Sequence, residues 1–148
     1  MGVTIRCKKT GRTIDMGAFG FLRLRRKVSE LQGGPFHKIY EEVCIWYPGL
    51  NGETAEEFDN RINARIEEIL NAEDKTQCPD IKIIDFLLQS DVEGRIRYGA
   101  CKNILKVIGD YDDNILYGYC GRPDCARFAD FKAILQDCVN TKSDMIWS

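Results

Sequence analysis

Apolar and polar positions follow two rhythms along this chain, a period of two at the start and a helical period over most of the rest. Val3-Thr4-Ile5-Arg6-Cys7 and Thr13-Ile14-Asp15-Met16 alternate on either side of Lys8-Lys9-Thr10-Gly11-Arg12, which predicts a β-hairpin. Gly17-Ala18-Phe19-Gly20 then leads into a helix whose stripe is Phe21, Leu24, Val28 and Leu31, stopped by Gly33-Gly34-Pro35. A second helix is predicted from Pro35 to Trp46, with Phe36, Ile39, Tyr40 and Val43 on one face. Residues 53–73 hold the longest helical pattern, striped by Phe58, Ile62, Ile66, Ile69 and Leu70, with acids crowding its first turns where the helix dipole favours them. Pro79 fits the first position of a helix running to Gln89. After a Ser90–Gly94 joint, Cys101, Ile104, Leu105 and Ile108 stripe a further helix closed by Gly109. Residues 114–119 read as a strand, 120–124 as a turn, and Phe128, Phe131, Ile134, Leu135 and Cys138 as a last helix before a short strand at Met145-Ile146-Trp147. The expected fold is a single α+β domain over 1–148, with an N-terminal hairpin, five to six helices and one or two further short strands.

Composition narrows the class. At 148 residues, 44% apolar and 30% charged, the chain can bury a core without staples and is neither disordered nor built to span a membrane. The start Met1-Gly2-Val3-Thr4-Ile5-Arg6 lacks an apolar signal core and carries Arg6 where a myristoylation signal needs Ser or Thr, so a cytoplasmic location is expected. Seven cysteines, an odd number, read as reduced thiols, with Cys101 and Cys138 on helix stripes as core filler. The net charge of −2 hides a split: residues 1–38 hold nine Lys/Arg against two acids, and the rest holds twelve against twenty-one. Such halves either face each other within the fold or steer a partner.

Candidate chemistry is thin. With Gly94 as position six of a calcium loop, Asp91 falls on three and Glu93 on five, but Gln89 occupies one and Ala100 occupies twelve, where a bidentate Glu closes the cage. Cys120 and Cys125 are four residues apart in between and lack a second pair in sequence, which only Cys101, Cys138 or His37 could supply through folding. The single histidine, His37, follows Phe36 on a predicted helix and reads as a helix residue, not a general base. No nucleophile elbow or Walker loop is present. No catalytic residue, metal or cofactor is therefore assigned.

Gly20-Phe21-Leu22-Arg23-Leu24-Arg25, then Phe86-Leu87-Leu88-Gln89-Ser90-Asp91-Val92-Glu93-Gly94 with Cys101 seven residues on, and a last helix ending in an apolar strand make the chain similar to a family of small bacterial and phage proteins of unassigned activity. The family pattern is Gly-Phe-x-x-[Leu/Phe]-Arg followed by Leu-x-x-Ser-Asp-Cys-[Asp/Glu]-Gly. This chain departs from it with Val92 in place of the Cys and Ala100 where an acid is common. The resemblance implies a stand-alone cytoplasmic domain carried on mobile elements, and it supplies no activity.

The expected function is that of a non-enzymatic protein-binding module, an accessory factor of a phage or mobile element acting on a host protein, with a defence nuclease as one concrete target. Its candidate surfaces are the basic face of Arg23, Arg25, Arg26 and Lys27 and the acidic outer face of 53–73, which could occupy a nucleic-acid groove. Arg25 is expected to pair with Asp91 or Glu93, locking the first helix to the Ser90–Gly94 joint. The alternative is a small phosphorylated or nucleotide ligand held by Arg23, Arg25 and Arg122 around Ser90, Asp91 and Glu93. Nucleic acid fits poorly, because the chain is acidic overall and lacks aromatic residues interleaved with its basic ones. No membrane partner is expected.

Overall fold

The computed structural model describes residues 2–71, 81–118 and 125–148. Strand β1 (Gly2–Cys7) pairs antiparallel with β2 (Thr13–Gly17) in the expected hairpin. Six helices follow in chain order with two short strands: α1 (Ala18–Gln32), α2 (Gly34–Ile45), α3 (Ala55–Leu70), α4 (Ile81–Leu88), β3 (Gly94–Ile96), α5 (Tyr98–Ile108), α6 (Phe128–Thr141) and β4 (Met145–Trp147). A 3-10 turn at Leu50–Gly52 lies in the predicted loop. The sheet is antiparallel in the order β2-β1-β4-β3, so the last strand enters the middle, between the hairpin and β3. The chain is an α+β domain, as its patterning predicts.

Strand alternation places the layers. Val3, Ile5 and Cys7 are buried while Gly2 and Arg6 are exposed, so one face of β1 meets helices and the other meets solvent. The buried face packs on α1 and α6. One core joins Ile5, Met16, Phe21, Leu24, Phe86, Ile104, Phe131, Cys138 and Trp147. A second, smaller one joins Phe36, Ile39, Phe58, Ile62 and Ile84 between α2, α3 and α4, with Trp46 stacked on Phe58 at 4.2 Å. Thr54 caps α3 by accepting from the Glu57 amide, and Glu42 of α2 bridges Arg61 and Arg65 of α3, tying the two helices at the surface.

Two predicted features differ. The strand expected at 114–119 is, in its described part, a single bridge between Leu116 and Arg127. The backbone there is held by side chains instead. Asp113 accepts from the Ile115 amide at 3.0 Å and from the Tyr111 and Tyr117 hydroxyls at 2.9 and 2.8 Å, which diverts the segment from a ladder. In turn β3 begins at Gly94, the end of the predicted joint, and continues through Arg95 and Ile96, which the patterning assigns to no element. The predicted helix start at Pro79 and the predicted turn at 120–124 lie outside the described residues.

Candidate functional site

The Phe21–Arg25 segment of α1 and the Gln89–Gly94 joint meet in the interior, around Arg25. Phe21, Leu24 and Val28 form the buried stripe of α1, and Arg25 sits four residues after the first of them, so its side chain enters the same core. It is only 5% exposed. Its guanidinium lies 4.3 Å from the Phe21 ring centre, 5.5 Å from that of Phe86 and 5.4 Å from that of Trp147. Burial lowers its pKa to about 10, against smaller opposing effects of Tyr40 and Asp91, so it stays charged at neutral pH.

The expected ion pair does not form. Arg25 makes no ion pair with Asp91 or Glu93, both exposed; its Nη2 donates to the Ser90 carbonyl at 3.3 Å. Trp147 Nε1 donates to the same oxygen at 2.9 Å. A carbonyl suits this place because it accepts two bonds without adding a second ion to desolvate. The joint is then stapled from within. The Gln89 side chain donates to the Arg95 carbonyl at 2.8 Å and accepts from the Arg95 amide at 3.0 Å, while Ser90 Oγ accepts from the Val92 amide. At Gly94 an added Cβ would stand 2.1 Å from the Trp147 ring. The motif thus describes a clamp between α1, the α4–β3 joint and β4.

The other residues of the basic face are spread out. Arg26 holds Glu41 through two bonds of 2.9 and 2.7 Å, and Lys27 pairs with Glu30 at 3.0 Å. With Arg12 on Asp137 as well, part of the charge split is consumed within the fold. Arg23 has no carboxylate partner among the described residues and lies 6.0 Å from the Tyr117 ring centre. It lines a shallow pocket of about 270 Å³ with Arg26, Lys27, Glu30, Ile115 and Tyr117. The buried Arg25 does not share this pocket, and Arg122 and Cys120 lie outside the described residues, so the expected arginine-lined site around the joint is not assembled from Arg23 and Arg25. His37 Nδ1 meets the buried Ser29 hydroxyl at 2.9 Å, which fastens α2 to α1.

Two surfaces escaped the sequence reading. On α1, Phe19 is 83% and Leu22 45% exposed, and with Arg23 and Arg26 they occupy the outer face at helical spacing. Leu116, 40% exposed, belongs to the segment that crosses Gly20. The available signal was the pair at 19 and 22, both off the stripe 21, 24, 28. The second surface is a cleft of about 650 Å³ lined by Asp85, Arg95, Ile96, Arg97, Tyr98, Gly99 and Ala100. Here β3 turns into α5 at Arg97, which provides no side-chain cap. Among the described residues, no three His, Cys, Asp or Glu side chains are grouped so as to hold a metal ion, and no helix is long and apolar enough to cross a membrane. Comparison with known proteins finds no family model, no curated protein and no solved structure that matches this chain.

Proposed function

We propose that the chain is a non-enzymatic protein-binding module that docks through the outer face of α1. The observation that supports this most is Phe19, a large aromatic side chain 83% exposed on a well-formed helix, with Leu22 one turn on. Exposed apolar groups cost solubility, and a cluster of them rimmed by charge is the anatomy of an interface. The rim offers one cation without a carboxylate partner among the described residues, Arg23, while Arg26 and Lys27 beside it are paired with Glu41 and Glu30. The complementary partner is a protein segment that offers an apolar side chain flanked by Asp or Glu. A host protein remains the expected source, with the mobile-element setting implied by the family likeness.

The remaining exposed apolar side chains are dispersed, with Ile45 and Tyr47 near the end of α2, Val92 in the joint and Tyr98 at the cleft. The outer face of α3 is acidic and contributes no large exposed apolar group, which makes it the weaker anchor. The test compares tagged wild type, Phe19→Asp/Arg23→Glu and the off-face control Lys102→Glu as baits in cells of the native host. A protein retained by wild type and control but lost by the double variant, with all three melting at similar temperature, is the expected result. Equal retention by all three baits would sink the assignment of this face.

A further inference from the structure

We propose that the cleft at the β3–α5 junction is a binding site for a nucleoside phosphate, separate from the docking face on α1. Its volume, about 650 Å³, falls within the range of small-molecule and cofactor pockets. Arg95 and Arg97 are two residues apart on extended backbone, so both side chains leave the same side of the chain and line the one cleft. The Arg97 guanidinium has no carboxylate or hydrogen-bond partner among the described residues, while its backbone carbonyl accepts from the Cys101 amide. Arg95 has one loose ion pair, with Asp144 at 3.5 Å, and its side chain is 61% exposed. Two such guanidinium forks suit a phosphate, which each can grip through paired N–H donors.

The rest of the lining selects what the phosphate is attached to. Tyr98 is 41% exposed at the cleft and offers a ring on which a base can stack. Asp85, from α4, is exposed, makes no ion pair among the described residues, and supplies an acceptor for amino or hydroxyl groups of a base or ribose. A bare phosphate would use only the arginines and leave most of the volume empty. The combination of paired cations, an aromatic face and one carboxylate in a single cavity therefore fits a mononucleotide better than inorganic phosphate.

Isothermal titration of the full chain with AMP, GMP, CMP and UMP, with inorganic phosphate and adenosine as comparison ligands, tests this. At least one nucleotide should bind saturably and about tenfold or more tighter than either phosphate or adenosine. Arg97→Ala and Tyr98→Ala should each weaken that binding by about tenfold, while Lys102→Ala should leave it unchanged. Both cleft residues are exposed, and thermal melts verify that the variants fold. Absence of nucleotide binding at millimolar concentration, equal binding of phosphate alone, or affinity indifferent to Arg97→Ala would each overturn the proposal.

Discussion

Trp147→Ala should destabilise the domain by about 3–5 kcal/mol, the usual cost of emptying a large aromatic site in a packed core. Trp147 is 2% exposed, lies 5.7 Å from Phe21 and 5.8 Å from Phe86 between ring centres, and gives the Ser90 carbonyl one of its two donors. Its removal also strips one aromatic wall from the Arg25 guanidinium. Urea unfolding followed by far-UV circular dichroism measures the loss. Gly94 gives the same site a second reading. A Cβ there would stand 2.1 Å from the indole, which packs against the Phe21 and Phe86 rings in the core. Gly94→Ala alone should therefore cost about 1–3 kcal/mol, yet cost much less in the Trp147→Ala background, where only Gln89 Oε1, 2.9 Å from the added carbon, still has to give. Additive losses in the double variant would show that the two residues do not share this contact.

Gly20→Ala should cost about 3 kcal/mol or more, because the added methyl would meet backbone and not a movable side chain. Its Cβ would fall 1.7 Å from the Tyr117 carbonyl oxygen. The crossing segment is itself pinned, since the Tyr117 amide donates to the Ala126 carbonyl at 2.8 Å and its hydroxyl to Asp113. Either α1 or this segment has to move. Thermal melting of the variant checks the expectation, and a melting temperature within a degree or two of wild type would contradict the close approach.

The helices were legible because their stripes repeat over about two turns or more, as at Phe21, Leu24 and Val28 or at Phe131, Ile134, Leu135 and Cys138. Strand β3 was not, since three residues cannot display a period and Gly94–Ile96 is ordered by pairing with β4, some fifty residues later. For Arg25 the sequence points to the lock between α1 and the joint but not to its acceptor or its burial. Its charge grouped it with Arg23, Arg26 and Lys27, whereas its spacing, four after Phe21 and three before Val28, already placed it on the buried stripe. The carbonyl that meets it carries no sequence signature, because every residue has one. Trp147 likewise looked like an ordinary strand residue, although its indole closes the clamp. The docking face and the cleft share this difficulty. Phe19 is marked as exposed only by its place off the 21, 24, 28 stripe, and Arg95 and Arg97 become neighbours of Asp85 only once β3 has folded beside α4.

The proposed division of labour is that Arg25, Trp147 and the Gln89–Gly94 joint hold the domain together from inside, and that binding falls to the exposed side of α1. Site-specific photocrosslinking tests that division most directly, with a benzophenone amino acid placed at Leu22 on α1 or at Asn63 on the outer side of α3. The account predicts a covalent adduct between the partner and the Leu22 probe and none with the Asn63 probe. Adducts formed from Asn63 and not from Leu22 would contradict it and move the working surface to the acidic helix.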